Sequence, residues 1–203
     1  MATVKLNKTE LKRQKETLEQ LNKYLPTLQL KKQQLQIELE AAALEIKAID
    51  KQITAIIKDM EPWAALFTEY AMVDFKRALN YTAIDRESIN TAGVDVPVFK
   101  AIHFPTLEYS FFITPTWVDE AIDKLRELVT FKQKRRIIEE KRSILADELR
   151  KTTIKVNLFE KRMIPQCREN IRIIKVFLGD MEIASICNAK IAKAKLTHKV
   201  RAL

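Results

Sequence analysis

The sequence predicts an all-α-dominated fold. Its N- and C-terminal segments form a long antiparallel two-helix coiled coil, with a short β-hairpin or helical segment in the middle. Three observations carry this expectation. An apolar stripe at alternating steps of three and four runs from Leu11 to Tyr70, and a second stripe occupies the last third of the chain. Only two glycines, Gly93 and Gly179, occur in 203 residues, so tight turns are few. Charged residues make up 31% and the long segments are rich in Ala, Leu, Lys, Glu, Gln and Ile, a long-helix composition.

The first helix is expected to open near Val4 to Asn7; Asn7 can cap it, with Glu10 three residues on as the second half of a capping box. Its stripe is Leu11, Gln14, Leu18, Leu21, Leu25, Leu28, Lys32, Leu35, Leu39, Ala42, Ile46, Ile49, Ile53, Ile56, Met60, Trp63, Phe67 and Tyr70. Gln14 and Lys32 are its two polar members. A stripe this narrow needs a partner helix along its length. From residue 4 to 60 such a helix extends about 85 Å. Pro26 removes one backbone hydrogen bond inside it, so a kink is expected there. Pro62 either kinks it again or, with Asp59 as cap, opens a fresh helix to about Asn80.

From about Tyr81 to Thr116 the period changes. Val94, Val96 and Val98 alternate with Asp95 and Pro97, and Tyr109, Phe111, Phe112 and Ile113 form a second β-prone cluster. Two short strands are expected, as an exposed hairpin at the far end of the coiled coil, with Pro97 on an edge strand.

Thr116 and Asp119 mark the start of the last helix, and Asp119, Glu120 and Asp123 suit its positive end. Val118, Ile122, Leu125 and Val129 open its stripe. After a slip near Gln133 the steps resume at Ile138, Arg142, Leu145, Leu149, Thr152, Val156, Phe159, Met163, Gln166, Asn170, Ile173, Phe177, Asp180, Ala184, Cys187, Ile191 and Ala194. Cys187 therefore reads as a small core residue. Folding the two helices back on each other puts both termini at one end, with Pro26 and Pro165 at similar heights as paired kinks. The expected divisions are 1–80 (62–80 being separable), 81–116 and 117–203.

Charge is uneven. Residues 1–60 carry 11 Lys and Arg against 8 Asp and Glu, residues 61–120 carry 4 against 9, and residues 121–203 carry 21 against 10. The converging basic ends, Lys5, Lys8, Lys12, Arg13 and Lys15 with Lys190, Lys193, Lys195, Lys199 and Arg201, form a candidate docking surface for an acidic partner. Two glycines cannot build a phosphate-cradling loop, His103 and His198 are isolated, and Cys167 and Cys187 have no metal spacing. No catalytic site, metal or cofactor is expected. Lys132, Lys134, Arg135 and Arg136 lack interleaved aromatics and read as a solvated face rather than a nucleic-acid contact. No apolar run approaches the roughly 18 residues that span a bilayer, and Met1 to Lys5 lack a signal-peptide core. An intracellular, soluble chain is expected, joined to any membrane only through a partner.

Two blocks carry a family resemblance. Leu25-Pro26-Thr27-Leu28-Gln29-Leu30-Lys31-Lys32 resembles a Leu-Lys-rich block in the D subunit of V-type (V/A-type) ATPases. Val156-Asn157-Leu158-Phe159-Glu160-Lys161, then Ile164-Pro165, Glu169-Asn170-Ile171 and Ile174, resembles that family's Val-Asn…Glu…Ile-Pro…Ile signature. The likeness covers essentially the whole chain and looks bacterial. Leu178-Gly179-Asp180 and the Ala-Lys repeats at 189–195 depart from the Glu/Arg-rich tail of many members.

The resemblance implies a noncatalytic central shaft of a rotary motor, peripheral to the membrane on its cytoplasmic side. Its paired helices would stand inside the hexamer of catalytic A and regulatory B subunits. Its other end would meet the F subunit and the ring-binding C/d subunit. On that reading Lys5, Lys8, Lys12, Arg13, Lys190, Lys193, Lys195 and Lys199 face the hexamer, and Val94, Val96, Val98, Phe111 and Ile113 face the F subunit. Two other classes fit the bare pattern: a prefoldin-like coiled-coil chaperone and a basic coiled-coil nucleic-acid binder.

Overall fold

The computed structural model describes residues 4–68, 75–106 and 114–201; within its helices, the side chains of Trp63, Phe67, Thr68 and residues 197–201 are not described. Helix α1 covers Lys8–Met60 and runs on into a 3-10 helix, Glu61–Thr68. Helix α2 (Phe75–Leu79), strands β1 (Ala83–Thr91) and β2 (Val94–His103) and helix α3 (Trp117–Leu158) follow. A π-helical turn, Phe159–Met163, leads into α4 (Ile164–Arg201). The chain divides into two compact units, one of Met1–Leu30 with Thr152–Leu203 and the other of Lys31–Lys151.

α1 starts at the Asn7 end of the expected range Val4 to Asn7. Asn7 caps it, its Oδ1 accepting the Glu10 N–H at 2.7 Å. Glu10 does not turn back to complete a box. Its carboxylate accepts from Gln14 Nε2 at 2.8 Å, and the Asn7 N–H donates to the Lys5 carbonyl. Every stripe position from Leu11 to Met60 is buried or half-buried, while the exposed apolar side chains Tyr24, Leu30, Ile37, Leu44 and Ile57 are all off the stripe.

In the unit of residues 31–151, α1 and α3 pair antiparallel. Ala42, Ile46 and Ile49 pack with Ile138, and Ile53 and Phe131 close that cluster. Lys31 Nζ meets Glu148 Oε1 at 2.9 Å, and Arg135 sits between Asp50 at 2.7 Å and Glu139 at 3.0 Å. The Arg135–Asp50 contact is ionic; its angle does not make a hydrogen bond. At one end α2 packs on the start of α3 through Ala78, Val118 and Ile122, with Phe75 stacked on Trp117 at 6.1 Å.

The hairpin differs from expectation in both partner and place. β2 holds the anticipated Val94, Val96 and Val98, but its partner is β1, paired from Ala83↔His103 to Thr91↔Val94 with a bulge between Asp85 and Arg86. β1 was illegible because Ala83–Thr91 is polar, and all of it but Ile84 and Thr91 is exposed. The second expected strand, Tyr109 to Ile113 with Phe111, lies outside the described residues, as does Tyr70. The turn, Ala92-Gly93, has φ of 53° and 76°, the two-residue turn whose twist matches its strands. It does not hang free. Val96 packs with Leu35 and Leu145, and Ala92, Val94, Ile144 and Leu149 close around them.

In the other unit α1 pairs antiparallel with α4. Leu21 packs against Ile164 and Cys167, flanked by Leu18, Leu25, Phe159 and Met163. The polar stripe member Gln14 meets the polar stripe member Asn170, whose Nδ2 donates to Gln14 Oε1 at 3.5 Å. A paired polar layer of this kind penalises slippage of the two helices.

The apolar members of the second stripe hold through Met163, and the stripe then fails by one residue. Past the π-turn the packed apolar positions are Ile164, Cys167, Ile171, Ile174 and Leu178, where Gln166, Ile173 and Phe177 were expected. Gln166, Ile173 and Phe177 are exposed, and so is Cys187, which is not a core residue. The cause is the π-turn. The Ile164 N–H bonds to the Phe159 carbonyl, five residues back, so one extra residue enters the turn and rotates everything after it. Pro26 and Pro165 are also not level. Taking Gln14–Asn170 as the reference, Pro26 stands beside the π-turn and Pro165 about 9 Å away near Leu21. α1 continues as α-helix through Pro26.

Candidate functional site

Three surfaces can receive partners. The first is the terminal groove between the start of α1 and the middle of α4. Lys8, Lys12, Lys15 and Lys175 rim a groove of about 450 Å³ floored by Leu11, Leu178 and Gly179, with Glu182 at its end. Lys8 Nζ is 3.9 Å from Glu182 Oε1, an exposed pair of little energetic weight. Lys8, Lys12 and Lys15 of the expected basic cluster thus come together with Lys175, and Lys5 and Arg13 are exposed nearby on the same helix start. Lys175 was not singled out in the sequence because its step of three from Arg172 reads as ordinary helix surface.

The basic residues of the α4 tail do not join this groove. Lys190, Lys193 and Lys195 are exposed and lie about 12–20 Å beyond the level of Glu182 along α4. Lys199 is on the same helix, its side chain outside those described. From Asp180 to Leu196 every residue is exposed, including Met181, Ile183, Ile186, Ile191 and Leu196. This stretch is a solvent-facing helix bearing both apolar and basic groups.

The second surface is the hairpin. Of its expected contact residues, Val96 is buried against Leu35 and Leu145, and Val94 is half-buried in the same cluster. These two hold the hairpin to the helices, so the side chains offered outward are those of β1: Arg86, Glu87, Ile89 and Asn90. Val98 is half-buried, and Phe111 and Ile113 lie outside the described residues. Arg86 reaches Glu140 of α3 at 3.3 Å, Lys100 reaches Glu87 at 3.3 Å, and His103 Nε2 lies 2.9 Å from Asp85 Oδ2.

The third surface was not anticipated. Ile57, Met60, Ala64 and Leu128 line an apolar groove of about 570 Å³, rimmed by Thr54, Lys58 and Glu61. Its one sequence signal is Ile57, an apolar residue off the stripe and half exposed. Near it, Arg126 ties three elements together: Nε donates to the Ala78 carbonyl at 3.3 Å, Nη2 to the Pro105 carbonyl at 2.8 Å, and the guanidinium lies 5.2 Å from the centre of the Phe104 ring.

Among the described residues no three His, Cys, Asp or Glu side chains gather as ligands for a metal ion. Burial pushes the Cys167 thiol above its ordinary range. Arg172 holds the Glu169 carboxylate below its usual range through hydrogen bonds at 2.7 and 2.9 Å, on a fully exposed helix face. No helix among the described residues is long and apolar enough to cross a membrane.

A family profile described as the ATP synthase D subunit matches residues 10–194. The chain belongs to the ATP synthase D-subunit family. Its relatives include the V-type ATP synthase D subunit of Borreliella burgdorferi, 35% identical over 99% of this chain and 98% of that protein. Those of Chlamydia abortus and Chlamydia muridarum are each 36% identical over 97% of this chain, covering 95% and 98% of their own lengths. The D-subunit match therefore takes in α1, the hairpin, α3, the π-turn and nearly all of α4.

Proposed function

We propose that this chain is the central-stalk subunit of a V-type ATPase or ATP synthase, coupling nucleotide turnover in a catalytic hexamer to ion transport through a membrane ring. The observation that carries this is the near full-length relation to V-type ATP synthase D-subunit proteins. On this reading the chain transmits torque and catalyses nothing itself. Its place is on the cytoplasmic side, peripheral to the membrane through the complex.

The exposed α4 tail with Lys190, Lys193 and Lys195, together with the basic start of α1, suits contacts with acidic surface inside a hexamer of A and B subunits. The exposed β1 face suits the F subunit, and the apolar groove at Ile57 suits the ring-binding C/d subunit. Pro26 and Pro165 with the π-turn between their levels are read as the place where the paired helices bend. The chaperone and nucleic-acid readings find no support among the relatives.

The test is reconstitution. The catalytic hexamer assembled with this chain should bind it stably, with affinity falling as salt rises, because exposed charge attraction is screened. Reversing Lys190, Lys193 and Lys195 to Glu should weaken binding and flatten that salt dependence. Unchanged binding and unchanged salt dependence would remove the assignment of this face. Failure of the unaltered chain to join the hexamer at all would overturn the stalk reading.

A further inference from the structure

The π-turn at Phe159–Met163 changes what α4 can do. The packed apolar side chains on either side of it are Val156, Phe159, Met163, Ile164, Cys167, Ile171, Ile174 and Leu178, with Met163 half-buried beside Ile164 at the turn itself. Taking Ile164 and not its neighbour Met163 as the seam member, the steps are three, five, three, four, three and four. One step alone breaks the heptad alternation, and it is the step across the π-turn, closed by the Ile164 N–H to Phe159 carbonyl bond. The turn is therefore a single-residue insertion in an otherwise regular seam.

Two features make its energy close to that of ordinary α-helix. Pro165 follows immediately, and in an α-helical turn its ring would crowd the Lys161 carbonyl four residues back, which raises the cost of α-helix here. Glu160, Lys161 and Arg162 are all exposed, so the extra residue is accommodated in solvent and not in packed core.

The sequence also carries a second seam, the one that ignores the insertion: Phe159, Met163, Gln166, Asn170, Ile173 and Phe177. Ile173 and Phe177 lie 42% and 37% exposed, at the margin of the packed face and not opposite it. Met163 and Asn170 are half-buried already, Met163 beside Ile164 and Asn170 as the partner of Gln14, so both serve both seams. The observed seam is the more apolar, with Cys167 where the other has Gln166.

We propose that the π-turn is a torsional switch between two packings of α4 on α1. Its conversion to α-helix turns the rest of α4 by about 100°, one residue's rotation, and exchanges the Cys167–Ile174–Leu178 face for the Gln166–Ile173–Phe177 face. The packing with the π-turn is the ground state and the other a minor state reached under twist. The exposed stretch beyond Asp180 rotates with it, so the side chains it shows to a partner change without any change in the fold of α1. This inference stands on the packing of residues 1–30 and 152–203 and does not depend on the functional reading.

The test uses the full chain with Cys187→Ser. Leu21→Cys is paired either with native Cys167 or, in a Cys167→Ala background, with Gln166→Cys, and each is oxidised with copper phenanthroline. The first pair should close rapidly and completely, and the second slowly, in step with excursions to the minor state. Deleting Lys161 should turn the step of five into four. That variant should fold, keep the first cross-link, melt no lower than its parent and lose the second cross-link at least tenfold. A Gln166 pair that never closes, or a deletion that unfolds the chain or leaves the Gln166 cross-link at its original rate, would overturn the switch.

Discussion

Arg126 shows how much one half-buried side chain can hold. It offers its guanidinium to two carbonyls from separate elements, the end of α2 and the exit of β2, and to the Phe104 ring. Hydrogen bonds with a charged partner contribute about 1.5–3 kcal/mol each, and truncation strands both acceptors. Arg126→Ala should lower unfolding stability by about 2–4 kcal/mol in a denaturant titration, with Arg126→Lys recovering only part, because an ammonium cannot span both carbonyls in one plane. Nothing in the spacing of Arg126 announces this, since its partners come from segments 21 and 48 residues away.

The cysteines give a second residue-scale outcome, and one that corrects the periodic reading. Cys167 is buried beside Leu21 and Cys187 is exposed. Burial raises the Cys167 pKa above its ordinary value of 9.0, so its thiolate is scarce at pH 8. A colorimetric thiol reagent at pH 8 should label Cys187 first and Cys167 at least tenfold more slowly. The sign for stability follows: the folded form prefers the neutral thiol, so its contribution is whole below pH 9.0 and is lost as pH rises from there through the raised value.

At the scale of elements, the hairpin depends on its two-residue turn. Gly93 has φ of 76°, and a Cβ there would meet only Lys31 Nζ at 3.8 Å, an ordinary contact. Gly93→Ala should therefore cost only the backbone term, about 1–2 kcal/mol, read as a lower unfolding midpoint. Ala92 already tolerates φ of 53° because it is packed with Leu35 and Leu145, so Ala92→Gly should change stability by less than about 1 kcal/mol in either direction. Elements with a single period were legible: α1 from its stripe, β2 from Val94, Val96 and Val98, and the cap from Asn7. β1 was not, because a mostly exposed strand has no apolar alternation to read. The phase of α4 was not, because the π-turn is a hydrogen-bonding event that leaves the residue types on either side unchanged. Of the candidate surfaces, the basic start of α1 was legible from charge alone. Its separation from Lys190, Lys193 and Lys195 was not, since it follows from where α1 begins relative to α4.

At the scale of the molecule, that offset between Lys8 and the end of α4 has a bearing on how the protein behaves before it meets anything. Lys8 stands level with Glu182, and α4 continues for 19 residues more, to Arg201, with every described side chain out to Leu196 exposed. A solvated helix of this length is only marginally stable in water, whatever its alanine content. The isolated chain should thus lose the stretch beyond Glu182 to brief trypsin treatment while α1 and α3 survive, and the amides of that stretch should exchange with deuterium within seconds. Housed in an assembly, the same stretch should resist both. Proteolytic sensitivity at Lys190, Lys193 and Lys195 then becomes a simple gauge of how much of any preparation is orphaned and how much has found its socket.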